Sequence, residues 1–117
     1  ARDRAPASGG AGKDDECLGQ KEHTSISRSV KEAVWERDEH RCVLCGSAEA
    51  GPWCHFIPRA RGGLGIEENI WTGCRRCHRL FDQGSGYAAV QARRAVRDYL
   101  CGCYPDWDEA ALLYRKE

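Results

Sequence analysis

Residues 41–82 read RCVLCGSAEAGPWCHFIPRARGGLGIEENIWTGCRRCHRLFD, and the two Cys-x-x-Cys units near its ends decide how the chain folds. Cys42 and Cys45 close one tight turn, and Cys74 and Cys77 close another. Tetrahedral zinc takes four soft thiolates with little strain when two such turns deliver them, and four protein ligands leave no position open for water. Zinc held there would be structural: it explains folding and not reaction. Gly46, directly after the first unit, accepts a backbone conformation that other residues resist, as the turn requires.

Between the units, Pro52-Trp-Cys-His-Phe-Ile-Pro58 is short, aromatic and bounded by Pro, which predicts a strand. The three Gly of Arg59-Ala-Arg-Gly-Gly-Leu-Gly65 turn the chain back, and Asn69-Ile-Trp-Thr72 supplies the returning strand. From Cys74 onward, Cys77, His78, Leu80, Phe81 and Asp82 have helical spacing as far as the breaker Gly84-Ser-Gly86. The order is ββα. Upstream, Val30, Val34 and Trp35 share one helical face ending near Asp38. Either Ser27 or Ser29 can cap that helix, and Glu32 would complete a capping box from Ser29. Downstream, two helical pieces are expected, one over residues 87–100 and one, opened by Pro105, carrying Trp107, Ala111, Leu112 and Tyr114. Residues 1–24 show no apolar periodicity and read as a disordered leader or a truncated start. The expectation is one small α+β domain over 25–117, with its core at 41–84 and a helical extension at 86–117.

Composition supports a stapled core. A chain of 117 residues with two Phe, no Met and 31% charged residues has little to bury, so a metal or disulfide framework is expected. No apolar run approaches the roughly 18 residues of a membrane span, and the first segment lacks the apolar stretch of a signal peptide. The chain therefore reads as cytoplasmic, where paired Cys-x-x-Cys units indicate metal ligands more readily than disulfides. A thioredoxin-like role would need one such unit within a βαβ pattern. Cys17, Cys101 and Cys103 lack a partner set and read as plain thiols. The charges balance, 18 Lys and Arg against 18 Asp and Glu, which argues against a protein that coats nucleic acid by charge alone. Arg59, Arg61, Arg75, Arg76 and Arg79 nevertheless concentrate in one segment. They either contact a DNA phosphate backbone or are solvated surface charge. Trp35, Trp53, Trp71 and Trp107 read as core.

A second cluster interleaves with the cysteines: His55, Asn69, His78 and Asp82. Residues four apart on a helix share a face, so His78 and Asp82 could hold one divalent cation between them. Phosphodiester hydrolysis uses such a cation to neutralise the phosphate while a neutral imidazole takes a proton from water, and His55 is the natural base.

Cys42-x-x-Cys45, Cys54-His55-Phe-Ile-Pro-Arg59 with Gly62-Gly63, Asn69, and Cys74-x-x-Cys77-His78 together resemble the cysteine-bearing HNH endonucleases of bacteria and their phages. The motif-bearing part runs from Arg41 to Asp82, and the preceding helix and the tail from Tyr104 to Arg115 also resemble phage members. The resemblance implies a ββα-metal fold, in which a hairpin and a helix clasp a catalytic cation and zinc braces the hairpin. It implies a metal-dependent endonuclease acting on DNA, with His55 as general base, His78 as the helix ligand of Mg²⁺, Mn²⁺, Ni²⁺ or Zn²⁺, and Asn69 as a residue that positions the loop. The kinship with phage members suggests packaging proteins as partners. There are two departures. Cys54 stands where Asp or His usually binds the cation, and it either binds a softer metal or binds nothing; Asp82 stands where a further His often falls. The rival expectation is a catalytically degenerate, zinc-dependent module that binds DNA or protein.

Overall fold

The structure, a computed structural model, describes residues 20–114. In chain order the helices and strands are α1 (Gln20–Thr24), α2 (Arg28–Arg37), β1 (Ala50–His55), β2 (Ile70–Cys74), α3 (Arg75–Gln83) and α4 (Gly86–Cys103). Short 3₁₀ turns lie at Arg59–Arg61, Glu67–Asn69 and Glu109–Leu112. Helices and an antiparallel two-stranded sheet make a small α+β fold.

β2 is buried at every position because helices cover both faces of the hairpin. Ile70 packs with Val30 and Val34 of α2. Trp71 turns the other way, as alternation along a strand dictates, and joins Cys54, Phe81, Val96 and Leu100 in the larger core. The layers are thus α2, hairpin, then α3 with α4.

Ser27 resolves the choice of cap: its hydroxyl accepts the Val30 N–H at 3.2 Å, while Ser29 turns its hydroxyl toward that of Ser27. At the other end of α2, Arg37 and Asp38 lock three elements together. Arg37 donates to both Asp38 oxygens at 2.7 and 3.0 Å and to the carbonyls of Glu67 and Ile70 at 2.8 and 2.7 Å. Asp38 in turn accepts from the Thr72 N–H at 2.9 Å and from the Tyr99 hydroxyl at 2.5 Å.

β1 begins and ends earlier than the Pro52–Pro58 stretch suggested. Ala50 pairs with Cys74 and Gly51 with Gly73, then Cys54 with Trp71 and His55 with Ile70, so Pro52 and Trp53 face Thr72 alone. This is a bulge, placed where Pro52 has no N–H for a ladder. The strand stops at His55 because the Asn69 side chain takes over the backbone bonds of Ile57.

Both flanks differ from expectation. The expected leader lies outside the described residues up to residue 19. Its last five residues form α1, with Thr24 buried and the His23 carbonyl accepting from Gly65 N–H at 3.1 Å. The expected C-terminal helix is only a 3₁₀ turn, capped by Asp108. After it the chain pairs with the glycine loop: Leu64 N–H donates to Leu112 at 2.8 Å and Tyr114 N–H to Gly62 at 2.7 Å. Backbone groups spent on that pairing are not available to a helix. No helix among the described residues is long and apolar enough to cross a membrane.

Candidate functional site

The sulfurs of Cys42, Cys45, Cys74 and Cys77 all lie within 4.8 Å of one another, and those of Cys45 and Cys74 are 3.7 Å apart. A tetrahedral ion with metal–sulfur bonds of about 2.3 Å separates its sulfurs by about 3.8 Å, so the cluster could hold a metal ion such as zinc. Each Cys-x-x-Cys unit folds onto its own first sulfur. Cys42 accepts from Cys45 N–H, and Cys74 from Cys77 N–H, both at 3.4 Å, and the latter contact also caps α3. Gly46 supplies the left-handed turn at φ +79°. Cys45 is the exposed member; a backbone hydrogen bond from Ser47, reinforced by the neighbouring thiols, brings its pKa down to about 6. Arg76 lies against Cys45, whose thiolate raises the guanidinium pKa further.

His55, His78 and Asp82 line one cavity of about 600 Å³, with Arg59, Lys31 and Trp53 at its walls. His55 arrives at the end of β1, and His78 and Asp82 from successive turns of α3. The Nε2 of His55 lies 2.9 Å from the carbonyl oxygen of Thr24. A carbonyl only accepts, so Nε2 carries the proton and Nδ1 keeps its lone pair. Burial lowers the His55 pKa, with the charges of Arg59 and His78 adding to it and the Thr24 contact and Asp82 opposing. The shift favours the neutral ring.

Asn69 is fully buried and organises the loop next to this cavity. Its Oδ1 accepts from Ile57 N–H at 2.8 Å, and its Nδ2 donates to the carbonyls of Ile57 at 3.2 Å and Leu64 at 2.8 Å. Gly63 passes so close that a Cβ there would lie 1.6 Å from the Ile57 oxygen. These contacts fix where β1 ends, and with it His55.

Cys54 does not join the cavity. Its neighbour His55 pairs with Ile70 on one face, and Cys54 pairs with Trp71 on the opposite one, where it is fully buried in the apolar core. Desolvation holds its thiol in the neutral form. Of the readings left open for Cys54, packing is the one this placement supports. Nor do His78 and Asp82 belong to any cluster of three or more metal-ligand side chains among the described residues.

The five arginines are all exposed but dispersed. Arg59 reaches Thr24 Oγ1 and Ser25 Oγ at 3.3 Å. Arg61 faces a neighbouring cavity of about 780 Å³ that shares Pro58 and Asp82 with the first. Arg75 and Arg76 border a third concavity beside the cysteines, and Arg79 stands on α3. Three contributors, Lys31, Thr24 and Trp53, were not found from the sequence. Thr24 acts through its backbone, which leaves no residue-type signal. Trp53 was read as core but is 48% exposed; strand alternation from His55 could have found it, since residues two apart share a face.

No family model, no characterised protein and no solved structure matches the chain.

Proposed function

We propose that the chain is a metal-dependent endonuclease that hydrolyses DNA phosphodiester bonds, with zinc in the four-cysteine cluster as its structural brace. One observation carries the reading: a neutral imidazole with its proton committed to Thr24 shares a cavity with His78 and Asp82. The HNH resemblance of the motif-bearing segment supports the same assignment.

In this mechanism His55 accepts at Nδ1 the proton of the water that attacks phosphorus, and its Nε2–H stays on the Thr24 carbonyl so that the ring does not swing as it becomes cationic. His78 and Asp82 supply one nitrogen and one carboxylate ligand. A divalent cation held there would supply charge neutralisation of the phosphate and of the departing 3′ oxygen. So small a set of protein ligands would fit a hard cation such as Mg²⁺ or Mn²⁺. Arg59 and Lys31, at the cavity wall, attract and orient the phosphate backbone. The departing 3′ oxygen takes its proton from solvent water, so that the products are a 5′-phosphate and a 3′-hydroxyl.

Burial of Cys54 favours a second reading, because it leaves the cation one protein ligand fewer: a zinc-dependent DNA- or protein-binding module without catalysis. Nicking of supercoiled plasmid, tested with added Mg²⁺, Mn²⁺, Ni²⁺ and Zn²⁺, separates the two. The endonuclease nicks with at least one of these ions, and His55→Ala lowers the rate by about 10²-fold or more with zinc content unchanged. Absence of nicking with every ion leaves only the binding module, and undiminished nicking by His55→Ala removes His55 from the chemistry.

A further inference from the structure

Trp53 is costly where it stands. It is 48% exposed while Trp71, on the facing strand, is fully buried. An indole half in water forgoes much of the burial that makes large aromatics useful. It is not loose, however. Three atoms of its six-membered ring, Cζ3, Cε3 and Cη2, lie 2.3, 2.4 and 2.8 Å from where a Cβ on Gly51 would be, so the ring rests on bare backbone that only glycine offers. The bulge that sets Pro52 and Trp53 against Thr72 alone presents the ring at the surface.

The indole also separates two concave surfaces. On one side is the His55 cavity with Lys31 and Arg59. On the other is a concavity of about 540 Å³ with Arg75 and Arg76, tempered by Glu49. Cation, aromatic and cation in succession match phosphate, base and phosphate along one strand, because every base has a face that stacks on an aromatic ring and every nucleotide repeats the charge.

We infer that Trp53 is a stacking platform for a nucleobase adjacent to the cleaved phosphate, so that the protein binds DNA whose base at that point is unpaired and unstacked. Bases inside a duplex have both faces covered by their neighbours and cannot take this contact without being turned out. The cleaved phosphate and the choice of DNA rest on the endonuclease reading; the stacking of a single-strand base does not.

The test uses single-stranded deoxyribo-oligonucleotides carrying 2-aminopurine, whose fluorescence is quenched on stacking, with zinc-loaded protein in a His55→Ala background. Quenching is expected, with tighter binding of the single strand than of the same sequence as duplex. Trp53→Ala should weaken single-strand binding roughly fivefold to hundredfold and abolish the quenching, while Trp53→Phe restores most of both. Zinc content confirms that each variant is folded. Equal affinity and equal quenching with Trp53→Ala, or no preference for single strand over duplex, overturns the inference. In chains that retain His55, nicking with unchanged KM in Trp53→Ala removes the stacking role and leaves the endonuclease standing. Trp53-dependent quenching in a protein that nicks nothing does the reverse.

Discussion

The Thr24 carbonyl decides which nitrogen of His55 is basic, and burial decides that it is unprotonated. Because the folded pKa lies below the ordinary 6.5, the acid limb of kcat/KM for cleavage is expected below pH 6.5; a limb at or above that value would contradict the assignment. The same shift acts on stability. The unfolded chain takes up a proton as pH falls through 6.5 and the folded one resists it, so stability is full above 6.5 and declines below it. Comparing wild type with His55→Asn in urea at two pH values isolates this contribution from the pH dependence of zinc binding. Asn69 makes a sharper prediction. Asn69→Ala strands the N–H and carbonyl of Ile57 and the carbonyl of Leu64, and buried groups left unbonded cost about 1–3 kcal/mol each. Urea unfolding of the zinc-loaded variant should show a loss of that order, together with slower cleavage. Residues of this kind differ in legibility. Asn69 could be assigned from the motif it belongs to, because its side chain makes the bonds. Thr24 could not, because any residue type presents the same carbonyl, and 31 positions separate it from His55.

At the level of elements, the hairpin and α3 were readable from composition and punctuation: a short aromatic stretch bounded by Pro, a glycine loop, then helical spacing. The ends of α3, at Cys74 and Gly84, and of α2, at Asp38, were readable too; those of β1 were not, since a distant partner sets where it stops. β1 yields at His55 to the side chain of Asn69, and α2 is tied down by Arg37, whose bonds reach Tyr104 at 3.1 Å and whose guanidinium lies 5.6 Å from the Tyr99 ring. Burial presses the Arg37 pKa down, yet Asp38 and Tyr104 outweigh it and the net shift is upward. The Tyr104 hydroxyl, raised to about 12 mainly by burial, passes the chain of bonds on to Glu67 at 3.0 Å. Replacing Arg37 by Met removes the cation and leaves Asp38, fully buried at its side chain, without its main counter-charge. A loss of about 3–5 kcal/mol is expected. A loss under 1 kcal/mol in chemical denaturation would show that Tyr99 and Thr72 suffice to hold Asp38.

For the molecule as a whole, the cysteine cluster stands in for apolar bulk. The larger core comprises Cys54, Trp71, Phe81, Val96 and Leu100, and the smaller one Val30, Val34 and Ile70. In small metal-braced domains the binding free energy of zinc, about 10–16 kcal/mol, is folding free energy. A chelator should therefore abolish the helical circular dichroism in one cooperative step, and returned zinc should restore it; a chelated protein that keeps its helices would show the cluster to be dispensable. The staple was the most legible feature of all, because thiolate spacing is local. The clasp of the glycine loop between α1 and the C-terminal turn was the least legible, because it consists of backbone contacts between distant stretches. That clasp has a consequence for biosynthesis. A ribosome that has translated as far as Ala111 has already made every sulfur and imidazole of the machinery, yet Gly62 and Leu64 still lack the partners supplied by residues 112–114. The loop that follows His55 thus closes only once residues 112–114 are free to pair with it.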